Sequence, residues 1–267
     1  MKRLLGVLTF AAFMLLNARS ASAQSQSLDG LLDETAKNVN GYLEKVSDVR
    51  CTERVQQLKL DKNGHAEYSE EGAYDYFVLL QGGDDELLLD ESRIPKREPK
   101  ERKNTPMLIS NGFSMLYLIF HPYYRNSFHF AVEPDESIAG RVYRHVRFTH
   151  VAGNRTPAAL SVRGREYPLD LAGEAWFDAA TGMIARIDAH LGNDMHDIGM
   201  KSLRAVVEYA PVSLPGWSQA YSFPTVATIE VESLRQHWRN IHRFTDYKRF
   251  LVETQQTVSD KALNQNE

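Results

Sequence analysis

The chain has a single cysteine among its 267 residues, Cys51, so it forms no intramolecular disulfide and holds no zinc site built from several thiolates. It lacks G-x-S-x-G, H-E-x-x-H, a phosphate-binding loop and a glycine-rich dinucleotide fingerprint. The local signatures of serine hydrolases, zincins and nucleotide-binding folds are therefore missing. No apolar run of bilayer-crossing length follows the first twenty or so residues. Basic residues are not in excess: 31 Lys and Arg face 35 Asp and Glu, a net charge of −4. Such a balance gives no overall attraction to nucleic acid or to anionic headgroups.

What is present begins with an address. Lys2 and Arg3 precede an apolar run from Leu4 to Leu16, and the small-residue segment ARSASA ends at Ala23. This is the order of a secretory signal peptide, and the run is shorter than the roughly 20 residues of a membrane span. The expectation is a signal peptide over residues 1–23 and a single mature domain over 24–267, exported to the periplasm or beyond. Loss of Lys2, Arg3 and Arg19 takes the net charge from −4 to −7. A hydrophobic share of 43% allows a full core, which an exported chain without disulfides requires.

Ser27 to Val46 reads as one amphipathic helix, with Leu28, Leu31, Leu32, Val39, Tyr42, Leu43 and Val46 on one stripe. Ser27 is a fitting N-cap, and Asp29 suits the positive end of the helix dipole. Strands are expected from there: Arg50–Leu60, a turn at Asp61-Lys62-Asn63-Gly64, then Tyr74–Gln81 and Glu86–Glu91. Arg93 to Lys103, RIPKREPKERK, reads as a solvated loop whose charge Glu98 and Glu101 dilute. Met107 to Phe120 is the most apolar stretch after the leader and ends at Pro122. It is expected to be a short helix buried on all sides or folded over something greasy.

From Ser127 the pattern is nearly continuous strand: Ser127–Val132, Arg141–Val151, Ala158–Tyr167, Gly173–Asp178, Met183–Leu191, Leu203–Tyr209, Ala220–Tyr221 with Thr225–Glu232, and Trp238–Val258 in pieces. Ala179-Ala180-Thr181-Gly182 makes a hairpin in which Trp176, Ile184 and Ile187 can share one core. The fold class expected is α+β, mostly β: a strongly curved antiparallel sheet, an incomplete barrel, closed over the amphipathic helix and the short apolar helix.

Little here carries chemistry. Cys51 is expected to be a small buried side chain at a helix-to-strand junction, although Arg50 and Arg54 would lower its pKa if it were exposed. His190, Asp194, His196 and Asp197 do not fall at a helical ligand spacing and read as polar loop residues. The aromatic and basic residues between Arg235 and Phe250 read as a strand with an aromatic inner face. No metal, no cofactor, no nucleic acid and no catalytic residue is assigned.

The order helix, strands, apolar helix, long meander resembles the LolA/LolB-like lipoprotein-carrier fold. More locally, VRCTERV (Val49–Val55), GEAWFDAATGMIARIDAHL (Gly173–Leu191), VEYAPV (Val207–Val212) and RFTDYKRF (Arg243–Phe250) are similar to a family of uncharacterised secreted bacterial proteins near that fold. The resemblance implies an incomplete barrel closed over helices, with an apolar cavity for acyl chains. Phe113, Leu116, Tyr117 and Phe120 lie where the resembling fold places its lid, and they are the expected ligand-binding residues. The first reading is thus an exported, non-catalytic protein that binds a lipid, acyl chain or other apolar ligand. The alternatives are an envelope structural or interaction module with a plugged barrel and a protein partner, and an exported hydrolase.

Overall fold

The computed structural model describes residues 27–83, 86–97, 114–162 and 165–250. The expected leader over residues 1–23 and the chain end lie outside the described residues. Helix α1 (Leu28–Val46) begins at Ser27, whose hydroxyl accepts a hydrogen bond from the Gly30 amide at 3.2 Å. Asp29 in its first turn and Lys45 in its last both complement the helix dipole. Leu31, Leu32, Val39, Tyr42, Leu43 and Val46 are all buried, so the stripe is the helix's core face. Burying each such large side chain contributes about 1.5–3 kcal/mol.

Twelve strands follow among the described residues: β1 (Val49–Leu60), β2 (Ala66–Gly83), β3 (Glu86–Pro95), β4 (Phe128–Ile138), β5 (Arg141–His150), β6 (Ala159–Val162), β7 (Arg165–Pro168), β8 (Leu171–Asp178), β9 (Ile184–Leu191), β10 (Met200–Val212), β11 (Tyr221–Ser233) and β12 (His237–Arg249). Ten form one antiparallel sheet in the order β3-β2-β1-β12-β11-β10-β9-β8-β5-β4, while β6 and β7 make a separate hairpin. The sheet does not close: β3 and β4 are its opposite edges. Both edges lie near the described end of the connection between them, since the Tyr124 hydroxyl reaches the Leu87 carbonyl of β3 four residues before β4 begins. The described part of that connection, a 3-10 segment (Ser114–Phe120) followed by α2 (Pro122–Arg125), packs against α1 and the inner face of the sheet.

The β8–β9 turn anchors α1. Asp178 Oδ1 accepts from the amides of Ala180 and Thr181 at 3.0 Å, and Gly182 takes φ +66°, which tightens the turn. Asn38 then donates to the Thr181 carbonyl at 3.2 Å, and the buried Thr35 hydroxyl to that of Gly182 at 3.4 Å. Further along the helix, Gly41 lets the Tyr221 ring lie against the backbone: a Cβ there would fall 2.6 Å from Tyr221 Cε1.

Several expectations are corrected. Strand β2 starts at Ala66, because the turn at Asn63-Gly64 carries pairing outward through polar cross-strand contacts such as Lys59–Glu67 at 3.5 Å, where no apolar alternation marks it. Strand β3 runs on to Pro95, so Arg93 belongs to the sheet rather than to a solvated loop. Ala158–Tyr167 is two strands, and β11 is one strand that passes through Pro224 beside an irregularity at Glu208/Tyr209. Trp176 faces away from the core that holds Ile184 and Ile187. It stands on the convex side, stacked on His145 at 4.6 Å with Arg186 over its ring. The described end of the apolar stretch is a 3-10 segment and not an α-helix; seven residues gain too little from helix propagation, and burial sets their shape.

The burial of α1 leads to a stability prediction. Leu43→Asp should lower stability by several kcal/mol, because a carboxylate would be buried without a partner. A thermal melt matching the parent protein would show that the stripe is not core.

Candidate binding site on the concave face

Along β1 the burial alternates, and Val49, Cys51, Glu53 and Val55 point inward. The same alternation brings Tyr76 and Val78 inward from β2, and Asn240, His242 and Phe244 from β12. Over this surface lie α1 and the 3-10 segment, with Leu116, Tyr117 and Phe120 all buried. Phe113 lies outside the described residues.

Tyr117 and Phe120 do not share one surface. The Tyr117 ring sits 4.6 Å from that of Tyr42 and 5.1 Å from that of Tyr209, and its hydroxyl donates to the Ser222 carbonyl at 3.1 Å. Phe120 turns toward the other half of the sheet, with Phe177, Phe130 and Phe148 at 5.1, 5.7 and 6.1 Å. The segment thus joins two aromatic clusters. Burial pushes the hydroxyls of Tyr42, Tyr117 and Tyr209 well above the ordinary tyrosine value, so all three stay neutral.

Beside the first cluster a cleft is lined by Tyr42, Val46, Cys51, Tyr76, Phe223 and Tyr247, with Arg50 and Phe77 also in its lining. Its interior is about 10 Å³, room for about one water. Leu116, Tyr117 and Phe120 do not line it; Tyr42 connects it to Tyr117. Cys51 is buried, as expected, and burial pushes its thiol up to about 12. That thiol is protonated at any physiological pH and is a poor nucleophile.

Next to Cys51 lies a set of charges that the sequence reading missed. The fully buried Glu53 accepts from Arg93 Nε at 2.6 Å, from the Arg93 guanidinium again at 2.9 Å, and from His242 Nδ1 at 2.7 Å. His242 acts as the donor because an ionised carboxylate only accepts. Arg93 also reaches Glu91 at 3.2 Å and lies over the Tyr76 ring at 5.2 Å. Burial alone would raise the Glu53 carboxyl, but the hydrogen bonds and charges of His242 and Arg93 outweigh it and hold the pKa below the usual carboxylate value. One signal was available: Val-x-Cys-x-Glu-x-Val puts Glu53 on the apolar side of its strand. Its partners lie 40 and 189 residues away and have no local signature.

Elsewhere, His196 and Asp194 pair with each other at 2.9 Å on the surface. Among the described residues no group of three or more His, Cys, Asp or Glu side chains could hold a metal ion, and no helix is long and apolar enough to cross a membrane.

Neither a protein-family model nor a curated protein matches the sequence. Three solved structures to which the chain is similar are the following. A DUF1329 family protein from Desulfovibrio piger is 10% identical, with 84% of this chain and 93% of that one covered and a TM-score of 0.44. A LolA superfamily protein from Nitrosomonas europaea is 12% identical over 81% and 94%, with a TM-score of 0.38. An outer membrane lipoprotein-sorting protein domain from Vibrio parahaemolyticus is 11% identical over 85% and 93%, with a TM-score of 0.41.

Two measurements check the site. Thiol labelling of Cys51 should be slow in the native protein and fast in denaturant; rapid native labelling would contradict a buried, protonated thiol. Because the Glu53 carboxyl has a lower pKa folded than unfolded, its stabilisation is fully present above the unfolded value near 4.5 and is lost as pH falls through the folded one. Glu53→Gln should cost about 3–5 kcal/mol at neutral pH and flatten the acid limb of the stability profile. An unchanged limb would show that Glu53 does not carry it.

Proposed function

We propose that the protein is an exported, non-catalytic carrier of an acyl chain or similar apolar ligand, taken up between the concave face of the sheet and its helical cover. The observation that carries this reading is the cover itself. Ser114–Phe120 is a seven-residue 3-10 segment composed almost wholly of apolar side chains. Runs of this length are uncommon, since 3-10 hydrogen bonds are poorly aligned and side chains three apart eclipse. Among the described residues no backbone hydrogen bond ties Leu116–Arg125 to a strand. Side chains tether it instead: Tyr117 to Ser222, Tyr124 to the Leu87 carbonyl at 3.1 Å, and Arg125 to Asp33 at 2.7 Å. On this reading the segment lifts for the ligand to enter, and doing so exposes Leu118, Ile119 and Phe120, which are fully buried in the closed form.

The interior it covers suits an amphipathic guest. Its walls are aromatic and aliphatic, and the Tyr209 hydroxyl and Trp217 Nε1 are buried without a hydrogen-bond partner. Both can donate to an ester or carboxyl oxygen among apolar walls. On this reading Leu116, Tyr117 and Phe120, with Phe113 before them, contact the chain of the ligand once the cover lifts.

A second reading, an envelope interaction module with a plugged half-barrel, is favoured by the roughly one-water volume of the cleft. A hydrolase would need titratable groups converging on an open cleft. The Glu53 set is buried and paired within itself, which argues against that use.

Calorimetric titration with fatty acids and lysolipids of increasing length separates the two favoured readings. A carrier should gain about 0.8 kcal/mol per methylene until the interior is full, and Leu116→Ser should weaken every member of the series. No binding at any length, with Leu116→Ser lowering only the melting temperature, would establish the plugged module.

A further inference from the structure

The convex face of β1 and β12 sets like charges directly against each other. In the strand register Arg50 stands opposite Lys248, and Arg54 opposite Arg243. Directly opposed residues on one sheet face have Cβ atoms about 5 Å apart, and like charges there destabilise the pair. All four side chains are exposed, and among the described residues none has an ion pair or a side-chain hydrogen bond. The nearby acids are engaged elsewhere. Asp75 holds Lys96 at 3.0 Å and Asp48 meets Arg249 at 3.5 Å, while Glu71 and Asp246 accept from the neutral Gln56 and Thr245 at 3.5 and 3.2 Å and keep their charge. Four cations without an ion pair, outnumbering the two nearby carboxylates that are not in ion pairs, thus gather on one patch of a chain whose net charge is −4.

Apolar side chains border the patch. Phe77 lies across from Arg50 on β2, and Leu79 and Ile94 are exposed on the same face. Arg50 and Phe77 also rim the cleft beside Tyr42 and Cys51. Cations interleaved with exposed apolar side chains fit a charged lipid interface, which takes the greasy groups into the headgroup boundary and the cations against its phosphates. An acidic protein surface would satisfy the cations and leave Leu79 and Ile94 without a place.

We propose that this patch, centred on Arg50, Arg54, Arg243 and Lys248, docks the protein on an anionic lipid surface, with Arg50 and Phe77 linking the docked face to the cleft. The docking rests on the carrier reading for its purpose, while its chemistry stands on the patch alone.

Flotation of the full chain with vesicles tests the assignment. Vesicles of phosphatidylcholine mixed with phosphatidylglycerol should bind the protein, vesicles of phosphatidylcholine alone should not, and added salt should release it. Each cation removed should weaken binding about fivefold. The double variants Arg54→Gln with Arg243→Gln and Arg50→Gln with Lys248→Gln should melt no lower than the parent, since each relieves a like-charge contact. Lys37→Gln, a cation on α1 that is paired with Glu34 at 3.1 Å, should leave vesicle binding unchanged.

Binding that ignores the anionic lipid, or that survives both double variants, overturns the proposal. So does failure to bind vesicles while polyglutamate captures the protein through the same four residues, which would assign the patch to an acidic partner. Titrating the double variants with fatty acid in vesicle-free solution keeps the two proposals apart. Fatty acid binding without vesicle docking leaves the carrier and removes the docking; docking without fatty acid binding does the reverse.

Discussion

An open antiparallel sheet of ten strands has one apolar face that must be kept from water, and most of this structure answers to that constraint. The sheet does not close on itself, so its concave side is covered by chain from outside the sheet. Helix α1 supplies the larger part, through a stripe that ends in Tyr42 and Val46 just before the chain enters β1. The described part of the connection from β3 to β4 supplies the rest, with Tyr117 and Phe120 buried against the inner face of the sheet. Tyr42 is where these parts meet: its ring contacts Tyr117 from that connection and Phe223 from β11. The first and last described strands, β1 and β12, lie side by side as third and fourth of the ten, so this part of the sheet forms only when residues 189 positions apart have met.

Within that apolar lining the Glu53 set is a costly exception. Desolvating two carboxylates, a guanidinium and an imidazole is offset only because their hydrogen bonds are short and reciprocal, and apolar replacements of like shape are often no less stable. What the set contributes is position. It joins β3, β2, β1 and β12, with the Arg93 side chain reaching over Tyr76 to meet Glu53. A slip of one residue in either pairing would turn Glu53 to the convex face, leaving His242 buried with no carboxylate and Arg93 with Glu91 alone. The register of these strands is therefore specified by charge as well as by apolar alternation.

The two faces of β1 divide the work of the molecule. Inward it carries Cys51, Glu53 and Val55, which are closed, paired or inert. Outward it carries Arg50 and Arg54, which face other cations and are left open to solvent. Sheet stability gains nothing from that outward arrangement, in which like charges stand directly opposed.

Much of the fold was legible from local pattern. The stripe and N-cap of α1, the turns at Asn63-Gly64 and Thr181-Gly182, the burial of Cys51 and the mostly antiparallel meander all follow from periods and turn chemistry that act over a few residues. The failures share a cause. Trp176 reads as core because it is large and apolar, yet its strand alternation, with an irregularity at Trp176/Phe177, sends it to the convex face beside His145. Arg93 reads as loop because proline and charge surround it, yet Glu53, forty residues away, draws it into the sheet. Leu116, Tyr117 and Phe120 read as one ligand-facing row, and packing divides Tyr117 and Phe120 between separate aromatic clusters. Local periodicity fixes which side chains share a face; which face is buried, and what lies across it, depends on contacts between residues far apart in sequence, and only the assembled sheet decides those.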